Sequence, residues 1–220
     1  MRPPLRVLLV AGIATAVIVG GGLVVLGGSD DATEDTTSSE EPFETTPLAS
    51  YDASSATVTR GAFCAALDRR QVAAALDAEP ESTTSWLNGD PVEVTDGMED
   101  VGHEFGCEYA GADGTVARAW VFAPAVDADQ AQRLVRSAGK APGCEAVDGP
   151  AFGDPTLALT CTNDGGAQAS YRGLFGDAWL VCEVVRPAGA TWDVVDRAGR
   201  WCVGVLEAAA IGQPAGEGPN

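Results

Sequence analysis

The sequence predicts an α+β fold: an antiparallel sheet with helices packed on it, disulfide-bonded, and preceded by one N-terminal transmembrane helix. Three observations carry that prediction. Period-two hairpin segments alternate with a few capped helices over residues 61–211, the pattern of an antiparallel sheet with helices laid against it. The six cysteines are even in number and contain no close C-x-x-C pair, which favours disulfides over a zinc site. Val7 to Leu26 is a run of twenty residues with no charge and one hydroxyl, Thr15. As a helix it would span roughly 30 Å, the thickness of a hydrocarbon core.

Residues 1–28 read as the anchor. Arg2 and Arg6 precede the apolar run, and Asp30, Asp31, Glu34 and Asp35 follow it. The positive-inside rule then places the N-terminus in the cytoplasm and the rest outside, giving a single-pass protein of the cell membrane. The run is longer than the core of a cleaved signal peptide, and no A-x-A pattern follows it, so an uncleaved anchor is expected. Gly12, Ala16 and Gly20 share a helix face, a spacing that lets helices pack closely, although small residues are abundant throughout the chain. Residues 29–60 read as an acidic, disordered tether: eight acids, no base before Arg60, many Ser and Thr, and few large apolar residues to offset the entropy of ordering.

The folded domain is expected over residues 61–211, with 212–220 a disordered tail rich in Gly and Pro. Asp68 caps a first helix, Arg69 to Leu76, with Gln71 completing a capping box and Leu67 and Val72 forming a hydrophobic staple. Glu79 to Gly102 is the least regular stretch; only Val92 and Val94 alternate like a strand. A first hairpin follows. Phe105, Cys107 and Tyr109 line one face, GADG at Gly111–Gly114 makes the turn, and Thr115 to Phe122 answers with Val116, Trp120 and Phe122 on one face and Arg118 among them. Asp127 and Gln130 open a second helix that runs to about Ala138. After a strand-like piece at Gly143 and Cys144, the segments Thr156–Cys161, Ala167–Leu174 and Ala178–Val185 form a meander, turning at Asn163–Gly166 and Gly176–Asp177. Thr191 is expected to cap the last helix, whose Val195, Ala198, Cys202, Val205, Leu206 and Ala209 fall on one face.

The charge bounds the partners. With 32 acids against 13 bases the chain carries −19, and both inner-side arginines are among those bases. Such a surface repels nucleic acid and anionic headgroups and suits cationic partners, divalent ions or plain solubility. The expected partner is an envelope protein or small ligand, with membrane contact through the N-terminal helix.

Little in the sequence points to chemistry. His103 is the sole histidine, and no G-x-S-x-G accompanies it. His103-Glu104-x-x-Cys107 lies on a strand, unlike the helical H-E-x-x-H of a zinc site. Asp127-x-Asp129 and Asp96-Gly-x-Glu99-Asp100 lack the ligand spacing of an EF-hand. No catalytic residue, metal or cofactor is therefore assigned. Trp86, in a polar stretch, reads as a binding platform or as a lid on the core. Trp86 and His103 are the candidate ligand-binding residues. Two readings follow: a tethered binding or sensing module of the envelope, or a cell-wall hydrolase with an acid-based site. Residues gathered around His103 and an acid in a cleft would favour the hydrolase; a smooth cleft lined by Trp and aliphatics would favour the binding module.

Cys64-Ala-Ala-Leu67, then Asp68-x-x-Gln71-Val72, then Cys107-Glu-Tyr109 resemble the signature of exported actinobacterial domains of unknown function, many of them small lipoproteins. The second half is similar in outline to the extracellular sensor domains of mycobacterial receptor kinases. The basic residues, twelve Arg and Lys140, fit the usage of a GC-rich genome. The resemblance implies a compact, disulfide-bonded binding or sensing domain, and it implies that Cys64 pairs with Cys107. The chain departs from it in having a spanning helix in place of a lipoprotein cysteine, with no kinase domain ahead of that helix. Six cysteines allow fifteen connectivities. Cys182 alternates with Leu180 and Val184 on a strand face while Cys202 lies on the inner stripe of the last helix, which makes them a pair; Cys144 and Cys161 then remain for each other.

Overall fold

The computed structural model describes residues 43–95, 98–163, 165–211 and 213–214. The anchor expected at 1–28, the first part of the tether and the calcium reading at Asp96 lie outside the described residues. Among the described residues no helix is long and apolar enough to cross a membrane.

In chain order the elements are β1 (Gly61–Ala62), α1 (Arg69–Leu76), β2 (Ser82–Trp86), β3 (Pro91–Thr95), β4 (Met98–Val101), β5 (Glu104–Ala110), β6 (Val116–Phe122), α2 (Ala128–Ala138), β7 (Cys144–Ala146), β8 (Thr156–Asn163), β9 (Gly166–Phe175), β10 (Ala178–Pro187), α3 (Val194–Ala210) and β11 (Gln213–Pro214). Seven strands form one antiparallel sheet in the order β2-β5-β6-β10-β9-β8-β7. The fold is α+β, as the sequence predicts.

Helices α1 and α3 cover one face of the sheet. There the strands present Phe105, Cys107 and Tyr109 from β5, Ala117, Ala119 and Val121 from β6, and Leu180, Cys182 and Val184 from β10, all buried. Small alanines on β6 let α3 lie close. Its Trp201 is fully buried, stacks edge-on against Tyr109, and donates its Nε1–H to the backbone oxygen of Arg118 at 2.9 Å. Helix α2 packs on the opposite face, where Val126 and Ala131 meet Leu174, Trp179 and Val181.

All three disulfides join the expected partners. Cys64–Cys107 ties the approach to α1 onto β5, Cys144–Cys161 links directly opposed residues of β7 and β8, and Cys182–Cys202 fastens α3 to β10. No described cysteine is free.

Several local expectations are corrected. Gln71 does not complete a capping box. Asp68 caps α1 alone, accepting from the Arg70 amide at 2.8 Å, while Gln71 turns inward and donates its Nε2–H to the Arg200 oxygen of α3 at 2.8 Å. Asp193, not Thr191, caps α3, because its carboxylate accepts from the amides of both Val195 and Asp196. Among its described residues, the stretch 79–102 is not irregular. It supplies β2 at the sheet edge and the β3–β4 hairpin, hidden from the sequence because the side chains of Ser82 to Ser85 are exposed and the strand is held through its backbone. On β6 the core face is the alanine row, so Val116, Trp120 and Phe122 look the other way.

The boundaries move too. Residues 43–60, expected in the tether, fold onto the domain. Leu48, Ala53 and Val58 are buried, and the Thr59 amide donates to the Ala209 oxygen. Three well-spaced apolar residues outweigh an acidic average. The close fit depends on Gly199 of α3, where an added Cβ would sit 3.2 Å from that of Leu48. In the expected tail, Gln213 and Pro214 pair with Ala62 and Gly61.

Each disulfide closes a loop of 43, 17 or 20 residues, a restriction of the unfolded chain worth about 3–4 kcal/mol apiece. Access by reductant differs far more. Cys182 and Cys202 are 0% exposed, whereas Cys144 and Cys161 are each partly open. Under native conditions dithiothreitol should open Cys144–Cys161 first and Cys182–Cys202 last, coincident with global unfolding. Timed alkylation with peptide mapping reads the order, and early loss of Cys182–Cys202 would contradict the described packing of α3.

Candidate functional site

On the face that carries α2, the register sets out three rows of side chains across the strands. One holds Glu104 opposite Phe122 and, farther along, Trp179 opposite Leu174. The next runs Trp86, Gly106, Trp120, Val181 and Arg172. The third runs Thr84, Glu108, Arg118, Glu183 and Ser170. Helix α2 covers the β9 and β10 end and leaves the β5 and β6 end open. The result is a cleft of about 460 Å³ with a strand floor, walled by Leu134, Ser137 and Ala138 of α2 on one side and by Trp86 on the other.

Trp86 reaches the cleft because of a glycine. Its indole lies across Gly106, where an added Cβ would come within 2.3 Å of Cζ2 and 2.9 Å of the Ala119 oxygen. Its Nε1–H donates to Glu104 Oε1 at 3.0 Å. Glu104 is half-buried and, among the described residues, forms no ion pair. Burial pushes its carboxyl above the usual range, and the Trp86 hydrogen bond pulls less strongly the other way.

The polar row is internally paired. Arg118 bonds Glu108 on one neighbouring strand and Glu183 on the other, the latter at 3.3 Å. Gln168 donates to the second oxygen of Glu183. Burial raises the Glu183 carboxyl despite the attraction of Arg118 and Arg172. For Arg118 the two glutamates outweigh burial and the net direction is upward. Arg172 is different. Burial lowers its guanidinium, Glu183 opposes that, and its Nε is buried with no hydrogen-bond partner among the described residues, as is the Ser170 hydroxyl.

The two candidates from the sequence separate. Trp86 lines the cleft. His103 is exposed just ahead of β5, its backbone oxygen accepting from Ala123, and it does not line the cleft. Sequence reasoning missed Glu104, Trp120, Phe122, Arg172, Trp179 and Glu183. One signal for them exists: charged and indole side chains at alternate positions of strands whose other face is apolar. Glu104 and Glu183 both line the cleft, but Glu183 is held by Arg118 and Gln168. They stand two strands apart and are offset by the four residues from Arg118 to Phe122. That puts their backbones about 16 Å apart.

Among the described residues no group of three or more His, Cys, Asp or Glu side chains is placed to hold a metal ion. Asp127 caps α2, accepting from the Gln130 amide at 2.7 Å. Comparison with family models, curated proteins and solved structures finds no match for the chain.

The sign of the Glu104 effect is testable. A carboxyl whose folded pKa is raised contributes stability that is full below the unfolded value, about 4.3, and is lost as pH rises through the folded value. Glu104→Gln keeps an acceptor for Trp86 and removes the ionisation. The variant should therefore unfold at a higher temperature than the wild type at pH 7, and the gap should close as pH falls below the unfolded value. Thermal unfolding across pH measures it; a wild type that is the more stable protein at pH 7 would refute the assignment.

Proposed function

We propose that this chain is a binding or sensing module of the cell envelope, held outside the membrane by an N-terminal anchor, with the cleft over β5, β6 and β10 as its ligand site. The cleft carries the reading. Its volume of about 460 Å³ falls within the 300–1,000 Å³ of small-molecule sites. Its lining joins aromatic and aliphatic surface to two charges that have no ion-pair partner among the described residues, Glu104 and Arg172. A few charged groups fixed in an apolar wall are what orient a bound molecule. Three disulfides suit an oxidising compartment, and the apolar run Val7 to Leu26 suits an uncleaved anchor. The resemblance to exported actinobacterial domains supports the same reading. The hydrolase reading loses its main support with His103 outside the cleft.

Two measurements test it. A C-terminal tag should be cut by protease added to intact protoplasts while a tag at Met1 is shielded; protection of both would refute the topology. A fragment library screened by tryptophan fluorescence and NMR should give hits that Trp120→Ala weakens by about tenfold, the loss of a stacking face worth roughly 1–1.5 kcal/mol. Hits indifferent to Trp120→Ala would place the ligand site elsewhere.

A further inference from the structure

The two charges in the cleft that form no ion pair among the described residues are not equivalent. Arg172 stands at the α2 end, its Nε buried, with Glu183 close enough to act on it and oppose the effect of burial. Glu183 thus offsets part of the cost of its burial, without outweighing it. Glu104 has no such neighbour among the described residues. It forms no ion pair among the described residues, and its one hydrogen bond, from Trp86, occupies Oε1 and leaves Oε2 without a partner there. Around it stand three aromatic rings. Phe122 is directly opposite on β6, and Trp86 and Trp120 flank the bare Gly106 in the adjacent row.

We infer that the open end of the cleft is an organic-cation site, in which an ammonium group is held by the Glu104 carboxylate against Trp86, Trp120 and Phe122. Aromatic faces attract cations, and do so more strongly when the site is partly withdrawn from water. A carboxylate left uncompensated beside them completes the recognition of a positive charge. A divalent metal fits poorly, since calcium takes six or more oxygens and magnesium an octahedral set, whereas Glu104 belongs to no group of three or more His, Cys, Asp or Glu side chains among the described residues. A net charge of −19 raises the local concentration of small cations around the whole domain. The expected ligand is an amine or quaternary ammonium attached to an apolar or ring-bearing body that extends along the floor toward Trp179.

The inference rests on the cleft being a ligand site, and its test separates the two. Three probes of one shape are used on the full chain in an uncharged maltoside detergent: phenethylammonium, 2-phenylethanol and 3-phenylpropionate, read by tryptophan fluorescence and NMR. The cation should bind about tenfold more tightly than the alcohol, a difference of roughly 1.4 kcal/mol. Glu104→Gln should abolish that preference. Trp120→Leu, which keeps the carboxylate, gives an independent reading and should weaken the cation several-fold. Equal binding of all three probes, or full cation affinity in Glu104→Gln, overturns the cation site and leaves the cleft standing. Preference for the propionate overturns it in favour of Arg172. Failure of all three probes to bind overturns the cation site together with the ligand cleft.

Discussion

A seven-stranded sheet is roughly 30 Å across at about 4.8 Å per strand, and a helix with its side chains is only about 10–12 Å wide. That mismatch governs the arrangement of this domain. One face meets it with α1, α3 and the segment from Leu48 to Val58, which together bury Phe105, Ala117, Leu180, Cys182 and their neighbours. The other face has α2, eleven residues long, lodged over Leu174, Trp179 and Val181. What α2 leaves uncovered is the cleft. Its position follows from where the described helices end, not from any loop built to make it.

The polar row keeps α2 from spreading over β5 and β6. Glu108, Arg118 and Glu183 lie side by side across three strands, with the Glu183 side chain only 6% exposed. A helix laid over them would have to desolvate the remaining exposed charge of Arg118 and Glu108, and buried ion pairs seldom recover that cost in full. Left as it is, the charged part of the row is paired: each glutamate reaches Arg118, and Gln168 donates to the second oxygen of Glu183. The underside of the same strands is the alanine and cysteine floor beneath α3. A single alternation thus yields an apolar core on one side and a half-wet, charged surface on the other.

Much of the fold was legible because its signals are local. The Asp68 and Asp127 caps, the GADG turn, the meander from β8 to β10 and the inner stripe of α3 are all set by neighbours within a few residues, and each stands where the sequence places it. The Cys182–Cys202 pairing followed from face periodicity alone. The errors have a common origin in long-range contacts. Ser82 to Trp86 lacks any apolar alternation, and only the backbone of β5 makes it a strand. Leu48 is an isolated apolar residue in an acidic stretch until Gly199, more than a hundred residues later, gives it a place to pack. Gln71 obeys the capping-box spacing, yet the Arg200 carbonyl offers it a better partner.

The candidate site was harder still, since its residues come from five strands and one helix. Trp86 stood out because it is a tryptophan among polar residues. Its importance depends on Gly106, which no spacing rule connects to it, and on Glu104, which is adjacent only once β2 and β5 pair. Periodicity did place Trp120, Phe122 and Arg118 on one face of β6. Periodicity alone did not say which face meets the core, and the usual rule that large apolar residues are the buried ones points to the wrong one. Here the opposite face carries alanines, and they win the core because α3 brings its own bulk in Trp201, Val205 and Leu206. Where a helix supplies the volume, the strand beneath it must be small. The large side chains of that strand are then released to the other face, where in this protein they form the floor of the cleft.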